Sequence, residues 1–447
     1  MRRFFIQRRV VVKYEEKKKI MVGILMTLFI SIQIGILYTG IKAAFNNKDG
    51  NNNEIHGSIT FVSNRTDKQD ELKKLITNFE NVYPKVKVKL ELIGDAEEIL
   101  QRKASVGELA DVTVIPSIIT SNEFERYLLS LDDLGFDKDD IYNYNLGVGN
   151  DGKLYALTTS LSWQGVIYNK RIFNDLGINN VPTTNEEFWN VCEKIKDSNI
   201  IPVALNYKQS WVMNTWIDVI PYLYDLNVEK NLTDKTCSIL AEDSEVYKSV
   251  EFVRSIHKYG YCEKNLIDYE WMQCKSDIVN GNIAMVIWNS DFINQLEDMG
   301  MNKNDIGMFP IPETKNVILN GDYKIGVSKN TKYPEAAKEF LKFLFENDRY
   351  SNAVNIKSNL KDSNSTIEMI RNINNYDVTI NFEGNLISQK SQEENLIHAQ
   401  YSRLKSAANI NYNFVQQYVI SADTNNIRKN TNRIWTEENM KISETTK

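Results

Sequence analysis

The stretch SITFVSNRTDKQDELKKLITNFENVYPKVKVKLEL, residues 58–92, changes its hydrophobic period twice. Ser58-Ile59-Thr60-Phe61-Val62 is a short run rich in β-branched and aromatic residues and reads as a strand. Leu72, Leu75, Ile76, Phe79 and Val82 then recur at helical spacing, and Pro84 ends that run. Val86, Val88, Leu90 and Leu92 alternate with Lys85, Lys87, Lys89 and Glu91, the pattern of a strand with one face in water. A second helical stretch over about 96–106 leads into Asp111-Val112-Thr113-Val114-Ile115-Pro116. Alternation of this kind predicts an α/β fold, with a mainly parallel sheet between helices.

Outward from this unit the pattern recurs. Thr184 and Glu187, just after Pro182, make a capping box that opens a helix to about Lys196. Ile200–Leu205 and Ile283–Ile287 read as strands. A chain of 447 residues exceeds what one core holds comfortably, so two α/β bodies of about 150–200 residues each are expected.

The N-terminus is built differently. Residues 1–19 carry eight basic side chains against Glu15 and Glu16, a net of +6 within a chain of net charge −6, which leaves −12 on the rest. Residues 20–41 hold no charge and, as a helix, would reach roughly 33 Å, enough to cross a bilayer core. The basic flank should stay in the cytoplasm and put the remainder on the extracytoplasmic face of the membrane. The segment is long for a cleaved signal peptide and no cysteine follows it for lipid attachment, so a retained signal anchor is expected. Asn-rich residues 42–56 read as a linker.

Composition excludes several classes. With 42% hydrophobic and 25% charged residues the chain is neither disordered nor polytopic. Its acidic body argues against nucleic acid as a partner. The cysteines (Cys192, Cys237, Cys262, Cys274) form no Cys-x-x-Cys pair and the three histidines are scattered, so neither a zinc site nor another cofactor is expected. Cys192 falls on an apolar helical stripe, whereas Cys262 and Cys274 could pair outside the cell or stay free. Gly147-Val148-Gly149-Asn150-Asp151-Gly152 matches a dinucleotide fingerprint in letters only. A strand, not a helix, follows it, and Asn-Asp-Gly is turn chemistry. No nucleophile elbow, phosphate loop or metalloprotease helix is present, and no local signature selects a pair of catalytic carboxylates.

The tryptophans are more informative. Trp163-Gln164, Gln209-Ser210-Trp211 and Trp288-Asn289 set indoles beside polar groups, which suits the alternating C–H and hydroxyl faces of a sugar. Trp216, at helical spacing with Ile217, Ile220 and Tyr224, reads as core.

Several segments, in order, resemble the sugar-binding type (family 1) of the extracellular solute-binding proteins of bacterial ABC importers. They are Leu109-Ala110-Asp111-Val112 with Leu129–Leu134, Gly152–Thr158, and Val166-Ile167-Tyr168-Asn169-Lys170 with Pro182-Thr183-Thr184. Asn280–Met285, Gly321–Ser328 and the Pro334–Leu341 helix complete the series. Two departures stand out: Asp291 occupies the usual tryptophan position after the Ala284-Met285 strand, and the lipid-attachment cysteine is absent. The resemblance implies a two-lobed periplasmic-binding-protein-like fold with a hinge, the first crossing falling near Ser162-Trp163. Lobe one would be 57–162 plus 315–348, and lobe two 163–314 plus 349–442. It also implies binding of a carbohydrate, an oligosaccharide above all, for ABC permease subunits, while the acidic body and the absence of a catalytic signature predict a monomer without catalysis. Trp163, Gln164, Trp211, Trp288, Asn289, Asp111 and Asp322 would then meet the ligand. A membrane-tethered sensor or adaptor of the same fold is the alternative, and a glycan hydrolase a third reading.

Overall fold

The computed structural model describes residues 55–94, 96–234, 236–388 and 391–445; the expected cytoplasmic segment 1–19, the span 20–41 and nearly all of the linker lie outside them. Among the described residues no helix is long and apolar enough to cross a membrane.

In chain order the strands are β1 (Gly57–Ser63), β2 (Val86–Leu92), β3 (Val112–Val114), β4 (Ala156–Thr158), β5 (Leu161–Ser162) and β6 (Gln164–Asn169). They continue with β7 (Ile201–Ala204), β8 (Ile283–Asn289), β9 (Ile306–Phe309), β10 (Asn316–Gly321), β11 (Lys324–Val327) and β12 (Thr379–Phe382). Three sheets result, ordered β2-β1-β3-β11-β4, β7-β8-β6-β9 and β12-β10-β5. In the first, β1 to β3 run parallel and β11 returns antiparallel between β3 and β4. The helix Gln69–Val82 turns Leu72, Leu75, Ile76 and Phe79 inward, and Phe79 meets Phe340 of the helix Pro334–Phe345 edge to face at 4.9 Å. Burying each such side chain contributes about 1.5–3 kcal/mol, so the amphipathic spacing suffices to seat both helices.

The second sheet is covered on both faces. Val166, Met285 and Phe309 pack with Phe188, Cys192, Trp216 and the C-terminal helices, where Trp435 is fully buried. Ile167, Ile283 and Val286 pack with Cys274, Phe292 and Leu296 on the other face. Thr184 and Glu187 form the expected capping box on the helix Asn185–Asp197. Residues 149–152 form a tight turn closed by Gly152 N–H on Gly149 C=O at 3.0 Å, with Gly152 at φ 79°. Gly147 allows the close approach: a Cβ there would lie 1.9 Å from the Ala156 carbonyl.

The third sheet joins the two bodies. The chain passes from β5 to β6 through Trp163, from β9 through β10 to β11, and again through β12 toward the C-terminal helices. One expected boundary is corrected. The helix Arg349–Val354, assigned above to lobe two, packs against Gln69–Val82 and Pro334–Phe345 of lobe one. The cysteines are free; Cys262 and Cys274 belong to cores on opposite faces of the second sheet.

Trp216 is 3% exposed and stacks near Phe252. Trp216→Ala should cost about 3–5 kcal/mol, measured by denaturant unfolding. A loss below 1 kcal/mol would remove it from the core.

Candidate functional site

In parallel α/β sheets, ligands gather where strands end. β1, β2 and β3 end at one edge of the first sheet, and β11, antiparallel, begins there, so Ser63–Arg65 and Asp322–Tyr323 share it. In the second sheet β7 and β8 end where β6 begins, which brings Leu205–Trp211, Trp288-Asn289 and Gln164 together. Gln164 and Asn289 are direct partners in the β6–β8 register. The two edges meet: Lys68, just past β1, pairs at 2.7 Å with Asp298 of the helix Phe292–Asp298 that follows β8.

The lobe-two edge carries an aromatic wall. Trp211 stands edge to face with Trp271 at 4.6 Å and with Trp288 at 4.8 Å, yet remains 43% exposed. Its loop is pinned from below. The buried Glu263 carboxylate accepts the Leu205 and Asn206 N–H groups, both at 2.8 Å, while Asn206 takes the left-handed conformation (φ 52°). Burial pushes the Glu263 carboxyl up despite those bonds.

Below the wall lies a polar floor. Asn289 donates from Nδ2 to Ser162 Oγ at 2.8 Å and accepts the Asp291 N–H on Oδ1 at 3.0 Å. Trp163 and Ser290 exchange two bonds, Trp163 N–H to Ser290 Oγ (3.1 Å) and Ser290 N–H to Trp163 C=O (2.8 Å). Burial and the nearby Asp322 carboxylate push the Asp291 carboxyl up to about 7, and burial raises Asp322 as well. Arg65 is held as a fork by Asp67, Nε on Oδ1 at 2.9 Å and Nη2 on Oδ2 at 2.8 Å. Burial alone would raise Asp67, but the Arg65 bonds bring its carboxyl below the ordinary value. Among the described residues no group of three or more His, Cys, Asp or Glu is arranged to hold a metal ion.

The model for bacterial extracellular solute-binding proteins matches residues 63–349. The chain belongs to that family. A multiple sugar-binding protein of Streptococcus mutans serotype c is 23% identical over 327 residues, 70% of this chain and 76% of the relative. Among solved structures, a manno-oligosaccharide-specific solute-binding protein of Bifidobacterium animalis subsp. lactis, in complex with mannotriose, superposes with a TM-score of 0.68. It is 22% identical, with 87% of this chain and 95% of the other covered. RafE from Streptococcus pneumoniae, in its apo form, has a TM-score of 0.63 at 18% identity, covering 88% and 100%. These likenesses establish the two-lobed solute-binding fold.

Within this solute-binding fold, Gln164, Trp211, Trp288, Asn289 and Asp322 come together at the facing edges. Two expected residues do not join them. Trp163 is 4% exposed and turns into the hinge core with Leu161, Val317, Leu319, Met369 and Ile373. With Ser290 and Asn294 it walls a cavity of about 450 Å³ that runs along β9 and the helix Asn364–Ile373. Asp111 precedes β3, at the opposite end of the first sheet. Its Oδ2 accepts the Thr60 N–H at 2.8 Å and its Oδ1 the Thr331 hydroxyl at 2.5 Å. Trp271, Arg65, Ser160 and Asp291 complete the edges and were not among the expected site residues. Of these, Asp291 offered a signal in its departure from the usual tryptophan position, and Trp271 in its place between Trp211 and Trp288 in the chain.

Asp111→Ala should therefore lower stability by about 1–3 kcal/mol, with sugar affinity unchanged, since it strips two acceptors from a strand junction. Calorimetric titration beside thermal unfolding separates the two effects. A second expectation concerns pH. An acid whose folded pKa is raised stabilises the fold below its unfolded value and loses that contribution as pH rises through the folded one. For Asp291 the window runs from about 4 to about 7. The ligand-free melting temperature should fall across it, and less steeply in Asp291→Asn; equal slopes would contradict the assignment.

Proposed function

We propose that this chain captures an oligosaccharide in the cleft between its lobes, outside the cytoplasm, and delivers it intact to ABC permease subunits. The observation that carries this reading is the exposed Trp211, braced by Trp271 and Trp288 and facing a polar edge. An indole face receives the C–H side of a pyranose while edge groups receive its hydroxyls. The naming of the relatives, a multiple sugar-binding protein and a manno-oligosaccharide-specific one, agrees with it. Closure would be a hinge motion about β5, β10 and β12. The uncharged segment 20–41 would tether the body to the outer face of the membrane, as a monomer.

The test is thermal shift and calorimetric titration against mannotriose, raffinose and chitin oligosaccharides. A probe at 100 times its Kd adds about 2.7 kcal/mol of stability. Trp211→Ala should weaken that binding about 30-fold, on the order of 2 kcal/mol, with little change in melting temperature. Normal binding with a large drop in melting temperature would make Trp211 structural. The probe should be recovered uncleaved; released sugars would turn the reading toward a hydrolase.

A further inference from the structure

Three buried side-chain atoms at the first crossing have no hydrogen-bond partner among the described residues: Ser160 Oγ, Gln164 Nε2 and Asp291 Oδ1. More than nine in ten buried polar groups are paired in native proteins, so two within residues 160–164 and a third on Asp291, past the paired strand β8, call for a partner. Ser160 is fully buried and Gln164 is 5% exposed. In the extended backbone here alternate residues share a side. Leu161 and Trp163 turn to the hinge core, so Ser160, Ser162 and Gln164 turn the other way, where Ser162 meets Asn289. The same Asn289 amide holds the Asp291 N–H, and the Asp291 carboxyl lies near that of Asp322, whose N–H binds the Ser160 carbonyl at 3.3 Å.

The charged groups facing Asp291 do not satisfy it. Asp322, from the turn between β10 and β11, repels it. Arg65, just past β1, attracts it but gives its Nε and Nη2 bonds to Asp67. Lys357 attracts it, but lies among Lys303, Glu297 and Glu368, with its own ammonium disfavoured by burial. Among the described residues no cation hydrogen-bonds the carboxylate, whereas a neutral donor would complete it at no charge cost.

We propose that Asp291 is the residue that selects the ligand: its free carboxyl oxygen accepts a hydroxyl of a neutral glycan seated against Trp211 and Trp288, and rejects a sugar that presents a carboxylate there. Gln164 Nε2 supplies the matching donor and Ser160 Oγ either role. The inference rests on the carbohydrate reading above. It also fixes a proton linkage. With Asp291 near 7 when unliganded, a hydroxyl donated to it favours the ionised form, so binding expels a proton and tightens as pH rises.

The experiment titrates the full-length chain, Asp291→Asn and Asp291→Ala with mannotriose, raffinose and a trisaccharide ending in glucuronic acid, at pH 6, 7 and 8. For the wild type, affinity for the neutral probe that binds should tighten about tenfold from pH 6 to 8, and the acidic trisaccharide should bind far more weakly. Asp291→Ala should bind that neutral probe at least tenfold more weakly at pH 8. Asp291→Asn should lose the pH slope and narrow the gap to the acidic probe; it serves alone where the alanine variant does not fold. A slope retained in Asp291→Asn, or an acidic trisaccharide bound as tightly as the neutral one, overturns the inference alone. A wild-type chain that binds no probe overturns the carbohydrate reading and this inference with it.

Discussion

At residues 162–164 the chain leaves one sheet and enters another without orphaning the Trp163 backbone, and the rest of the structure hangs on that exchange. Ser162 pairs with Asn320 in the hinge sheet, and Gln164 pairs with Asn289 in the second sheet. Trp163, between them, belongs to neither ladder, so its N–H and C=O would be buried and unpaired at a cost of about 1–3 kcal/mol each. Ser290 answers both. The indole meanwhile fills the hinge core, which fixes the direction in which the chain crosses. Because Ser290, the residue after β8, supplies the partner, residues 288–291 are placed by the same exchange. Wall, amide bridge and free carboxylate are consecutive products of one junction.

That junction concentrates a deliberate imbalance. The cores on both faces of the second sheet are filled by apolar side chains in ordinary contact, while the floor keeps Asp291 and Asp322 near one another with a cation already bound elsewhere. Structures tend to break local consistency at functional sites and compensate in their cores. The Glu263 carboxylate follows the same logic one layer down. It is buried at a cost, and returns that cost by ordering the loop that carries Trp211.

An ion pair spans the facing edges. Lys68 is buried where it meets Asp298, which stays partly in water.

The sequence by itself determined the elements and the framework. Periodicity gave the helix Gln69–Val82 and its flanking strands, the Thr184–Glu187 box and the Asn150-Asp151-Gly152 turn are local chemistry, and Trp216 and Cys192 are buried as their helical stripes require. The site was legible only in part. Trp211, Trp288 and Asn289 lie at strand or helix ends, where a polar neighbour in sequence is also a neighbour in space. Trp163 sits in extended backbone, where adjacent side chains point to opposite sides, so the polarity of Ser162 and Gln164 says nothing about the face the indole takes. Asp111 and Asp291 are alike as letters. Which of them is satisfied and which is left open depends on Thr60, Thr331, Asp322 and Arg65, groups far along the chain that only the tertiary fold brings to them.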